Sequence, residues 1–182
     1  MFLFSSIASA GTVDPGDLSN VACEGSRVQL RPSDVLSRDG LSSATIRYAV
    51  SPSAIPNGQE VGQVMLVIRL QPGGGRVLAT FMEARIDPAQ QGDVQIPDPG
   101  IVSEAKLIEF DSAAPNTAFP IATDTFQTLI ALPVSPASSH RFNTELNAYY
   151  IALTLSTPTG PHPTKSFLLP AVSAVAIATA TG

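Results

Sequence analysis

The chain has 182 residues and a net charge of -5, and its charged residues make up 14%, against the quarter usual in soluble domains. That length suits one domain able to bury a core without metal or disulfide support, and the single cysteine, Cys23, rules out an intrachain bridge. Only two lysines, Lys106 and Lys165, and eight scattered arginines are present, so the clustered cationic face that nucleic acid or anionic lipid requires is missing. With 44% hydrophobic residues the chain folds, yet no run of about 18 unbroken apolar residues offers a membrane span.

The first ten residues, Met1-Phe2-Leu3-Phe4-Ser5-Ser6-Ile7-Ala8-Ser9-Ala10, read two ways. Ala8-x-Ala10 before Gly11 has the small-residue form of a signal-peptidase site, but no basic region precedes it and the apolar stretch is short for a leader. The other reading is a native strand or arm. Residues 1–24 are therefore expected to be an arm or signal remnant followed by an irregular lead-in, punctuated by Pro15 and Gly16, with the domain proper over 25–182.

Eight runs rich in β-branched and aromatic residues come next. Arg27 to Arg31 alternates strictly, and Thr45 to Val50 sets Ile46, Tyr48 and Val50 on one face. Val64 to Leu70 is apolar on both faces, which predicts a central strand. Three glycines, 73–75, separate it from Arg76 to Ile86 and predict a hairpin, with Leu78, Thr80, Met82, Ala84 and Ile86 sharing a face.

Residues 87–100 carry three prolines and two glycines and predict a surface loop. Strands are then expected over 106–110, over 126–132 with Phe126, Thr128, Ile130 and Leu132 on one face, and over 147–156 with Tyr149, Ile151, Leu153 and Leu155 inward. Ser139 to Leu146 has room for one helical turn, and Val172 to Thr179 closes the chain. No segment holds a helical period over ten positions. The expectation is an all-β fold: a single antiparallel sandwich, jelly-roll-like, of about eight strands.

Chemistry-bearing patterns are few. His140 and His162 lie in Ser- or Pro-rich stretches without a Gly-x-Ser-x-Gly elbow, and read as exposed loop residues. Two histidines fall short of a zinc set. Cys23 beside Glu24 has no cation to activate it and reads as a small, partly buried residue. Glu83, Glu109 and Glu145 read as solvent-facing, and Gly73-Gly74-Gly75-Arg76 lacks the Lys-Ser/Thr of a phosphate loop. Asp87, Asp93 and Asp98 share one loop; calcium could use such oxygens, but turn chemistry explains them better, and they stand here as a candidate recognition loop. No catalytic, metal or cofactor site is expected, and no enzyme.

Ala44-Thr45-Ile46-Arg47-Tyr48, Leu107-Ile108-Glu109-Phe110-Asp111-Ser112 leading through Ala118-Phe119-Pro120 to Phe126-Gln127-Thr128, and Asn147-Ala148-Tyr149-Tyr150 together resemble a group of short uncharacterised (hypothetical) bacterial β-sandwich proteins. The resemblance spans most of residues 11–180 and implies no activity, cofactor or site.

Two functions remain. One is a non-enzymatic structural subunit of an extracellular or surface filament, sheath or coat, or of a virion. It would assemble with itself or with other subunits, through strand exchange by an arm carrying Phe2, Leu3, Phe4 and Ile7. The alternative is a secreted module that recognises a glycan or a surface protein through its long loops.

Overall fold

The computed structural model describes residues 1–31, 43–55, 57–58, 60–61, 64–71, 75–86, 101–114, 118–123, 126–131, 140–157 and 171–179. Within them the strands are β1 (Phe2–Ile7), β2 (Thr12–Val13), β3 (Val21–Glu24), β4 (Arg27–Leu30), β5 (Ser43–Val50), β6 (Glu60–Val61) and β7 (Val64–Gln71). They continue with β8 (Arg76–Ile86), β9 (Ile101–Asp111), β10 (Ala118–Thr123), β11 (Phe126–Ala131), β12 (His140–Arg141), β13 (Asn147–Ser156) and β14 (Ala171–Thr179). All eight expected runs are strands. The additional ones are short, lie near the N-terminus, or sit where alternation is weak.

Two antiparallel sheets make the sandwich. One runs β10-β11-β7-β14-β4-β3, with β1 also paired to β14; the other runs β2-β5-β13-β8-β9. A two-stranded ribbon joins β6 and β12. One apolar cluster fills the space between the sheets, with Leu66, Ile68, Val175 and Ile177 from the first facing Ile46, Phe81, Ile151 and Leu153 from the second. Burying each such side chain contributes about 1.5–3 kcal/mol.

Strand β13 buries Tyr149, Ile151, Leu153 and Leu155 as its alternation predicts, and β5 buries Ile46, Tyr48 and Val50. Strand β7 is central, between β11 and β14. Its link to β8 differs from expectation: the two do not form a hairpin, because β7 lies in one sheet and β8 in the other. Both edges of β7 are taken by β11 and β14, so β8 finds its partners, β13 and β9, in the second sheet. Gly75, at φ 124, leads into β8.

Phase differs in two strands as well. In β8 the buried side chains are Val77, Ala79 and Phe81, while Leu78, Thr80 and Met82 lie on the outer face. A bulge in β9 opposite Phe81/Met82 shifts its pairing with β8, and Ala84, on the same face as Met82, is buried as well. In β11 the core takes Leu129 and Ala131, with Thr128 and Ile130 facing outward. Both strands carry apolar residues in each phase, so alternation alone does not choose the buried face.

The first 24 residues are built into the sandwich. β1 pairs with β14, β2 pairs with β5, and β3 forms a two-residue hairpin with β4 through Gly25, at φ 59. Around the turn at 8–10, buried Ala8 accepts a hydrogen bond from the Tyr48 hydroxyl at 2.6 Å. Gly11 lies directly on Ile46 and Tyr48. Asp17 accepts from the Thr45 amide at 2.9 Å, and Asp14 pairs with Arg47. The irregular lead-in expected over 11–24 is thus two strands and a 3-10 turn, ordered by contacts with β5, far away in sequence, and by the local hairpin with β4.

A bidentate pair closes the β8–β9 end: Arg76 donates to Asp111 at 2.9 and 2.6 Å. This guanidinium holds the Asp111 carboxyl below its usual range. A depressed folded pKa means stability that is present above the ordinary Asp range and lost as pH falls through the folded value. Asp111→Asn should therefore remove an acid-dependent part of stability. Thermal melting from pH 6 to pH 2 should show wild type and variant converging at the acid end, and curves that stay parallel would refute it.

Candidate functional site

Two regions stand apart from ordinary sandwich packing. The first is a polar group at one end of the core. Glu83 lies two residues beyond Phe81 and shares its inward side of β8, opposite Tyr149 of β13. Its Oε1 accepts from the Tyr149 hydroxyl at 2.6 Å and from Asn147 Nδ2 at 2.5 Å. The Tyr149 oxygen accepts in turn from the Asn143 amide at 3.0 Å.

Burial, with the Glu83 hydrogen bond adding to it, pushes the Tyr149 phenol up, so it stays a donor at neutral pH. His140 packs edge-on against Phe142 at 4.7 Å. Its Nε2 is buried without a hydrogen-bond partner among the described residues, 3.8 Å from Glu83 Oε1.

Three sequence readings change here. Glu83 is a half-buried, inward carboxylate rather than a solvent-facing one. His140 is a half-buried residue of β12, which pairs with β6, rather than an exposed loop residue. The helical turn expected over 139–146 takes the form of β12 followed by one turn, closed by the Asn147 amide on Asn143 O at 3.0 Å. Asn143 Oδ1 caps it by accepting from the amides of Glu145 and Leu146. The signal available in the sequence was local: Asn143 is a strong turn former.

The group therefore presents one carboxylate, already engaged by a phenol and an amide donor. Among the described residues no three His, Cys, Asp or Glu side chains gather as metal ligands. Of the other two acids, Glu109 is half-buried and pairs with Lys106, whereas Glu145 is exposed. Cys23 is exposed on the edge strand β3 rather than partly buried. Asp87, Asp93, Asp98 and His162 lie outside the described residues.

The second region is the outer face of the seven-stranded sheet at β1. Register sets three outward rows across it. Phe2 lies beside Ala178 and Met65; Ser5 beside Ala176, Val67 and Ile130; and Ile7 beside Ala174, Arg69 and Thr128. These rows carry one charge, Arg69. The outer face of the other sheet differs, with Arg47, Arg76, Lys106, Glu109 and Asp111 among threonines.

β1 is an edge strand: β14 is its one partner among the described strands. The segment Phe2 to Ile7 contains no lysine, proline or charge of the kind that usually guards an edge. Phe2 is 62% exposed and Ile7 52%, whereas Leu3 and Phe4 pack against the core. Where β1 ends and β4 begins, an open groove of about 520 Å³ is lined by Ile7, the 24–27 hairpin turn, Arg69, Ser173 and Ala174. The four arm residues singled out from the sequence thus lie together on one strand, hydrogen-bonded within their own chain. Set against known proteins, the chain matches no family model, no curated protein and no solved structure.

Proposed function

We propose that the chain is a non-enzymatic structural subunit that assembles with copies of itself at its β1 edge, in a filament, sheath or coat at the cell surface or in a virion. The observation that carries this reading is the unguarded apolar edge: β1 offers an open backbone row with Phe2 and Ile7 exposed beside it. An added strand satisfies those backbone groups and covers the apolar rows next to them. The low charge of this face removes the repulsion that keeps most β-proteins apart.

The test is light scattering with electron microscopy on the untagged protein. Oligomers or ordered particles are expected. Lysine at both exposed positions, F2K with I7K, should give a folded monomer, because two cations on an edge strand block addition. A wild-type monomer of 18.9 kDa across the accessible concentration range would overturn the reading.

One observation favours the binding-module alternative. The Glu83–Tyr149–Asn147 group places a carboxylate at the end of the sandwich, where hydroxyl-rich ligands could reach it.

A further inference from the structure

Resting on the assembly reading, we propose that subunits join by exchange of β1. Residues 2–7 of one copy leave their own β14 and occupy the same edge, opposite residues 174–178, on a second copy. The edge of β14 is filled by two strands laid end to end, β4 against 171–172 and β1 against 174–178. They are held very differently. β4 buries Val28 and Leu30 almost completely, at 1% and 0% exposed, whereas in β1 Leu3 and Phe4 are half-buried against the core and Phe2, Ser5 and Ile7 are exposed.

The segment immediately after β1 is fixed. Ala8 is fully buried under the Tyr48 hydroxyl, Ser9 Oγ donates to Gly25 O at 2.6 Å, and Gly11 sits against Ile46 and Tyr48. Movement is thereby confined to residues 1–7, with the hinge at Ile7–Ala8. Ile7 has extended backbone, φ -69 and ψ 145, which suits a strand that continues away from the molecule as well as one that returns.

A vacated slot must be refilled. Val175 and Ile177 on β14 are buried, so their strand cannot leave its backbone edge unpaired at low cost. The segment that fits the slot is β1 itself. A second copy's β1 restores the same ladder, including the bond from the Met1 ammonium to Thr179 O at 2.7 Å. Exchange therefore costs little beyond the hinge.

Cross-linking decides the matter. In a Cys23→Ser background, Ser5→Cys and Ala176→Cys place two thiols on paired residues of the outer face; Ile7→Cys with Ala174→Cys is the second pair, should the first disturb folding. After oxidation, non-reducing electrophoresis of the oligomer fraction should show interchain dimers or ladders. Oligomers whose chains all run as single, internally linked species would overturn exchange and leave assembly by edge addition standing. A sample that is monomeric throughout and internally linked would overturn both.

Discussion

Gly11→Ala should destabilise the protein by about 2–3 kcal/mol, at the upper end of the usual cost of overpacking, and lower its melting temperature by roughly 4–12 °C. The backbone is not the reason, since Gly11 has φ -74, open to any residue. The cause is a close approach. A Cβ on Gly11 would fall on Ile46 Cγ2 and stand 2.6 Å from Tyr48 Cε1. Both side chains are buried in β5 and cannot swing away.

The displaced tyrosine would carry its hydroxyl off Ala8 O, leaving a buried polar pair unmade. Gly16→Ala is the control. It lies in the same N-terminal segment with nothing within 4 Å of its Cβ, and should shift the melting temperature by less than about 2 °C, as surface substitutions do. Equal losses from the two would show that the segment is not packed on β5.

Much of the sandwich was legible because period-two alternation is a local signal, and β5 and β13 carry it without ambiguity. What escaped was the assignment of strands to sheets. A glycine-rich link between two apolar strands satisfies both a hairpin and a crossing between layers. Only the competition of β11 and β14 for the edges of β7 decides between them. The N-terminal elements escaped for a related reason. Gly11, Asp14 and Asp17 look like turn residues by themselves, and become ordered through Tyr48, Arg47 and Thr45, at least 28 residues further along the chain.

The polar group escaped through phase. Glu83 reads as solvent-facing if Leu78 and Thr80 point inward, and as inward once Val77, Ala79 and Phe81 do. The arm residues were legible as an unusual apolar, uncharged run. Their attachment to β14 was not, since Ala171 to Thr179 lies at the opposite end of the chain and gives no local hint of an open edge.

Phe142→Ala should give the largest single loss of stability, about 3–5 kcal/mol for truncating a fully buried aromatic ring. Phe142 stands between three rings: Phe81 at 6.3 Å, Tyr149 edge-on at 5.2 Å and His140 edge-on at 4.7 Å. With Phe81, whose ring lies 6.1 Å from that of Tyr149, it flanks the tyrosine whose hydroxyl reaches Glu83, so the cavity left by truncation should loosen the hydrogen-bonded group as well as the core. With no tryptophan and three tyrosines in the chain, near-ultraviolet circular dichroism reports this directly, and the Tyr149 contribution should weaken.

A double-mutant cycle separates packing from positioning. Tyr149→Phe alone removes the donor to Glu83 and should cost about 1–3 kcal/mol, as for a buried bond to a charged acceptor. In the Phe142→Ala background that cost should shrink, because the hydroxyl is no longer held in reach. Strictly additive losses in urea unfolding would mean that the ring fills space without orienting Tyr149, and that the end of the sandwich keeps its polar geometry through Asn143 and Asn147 alone.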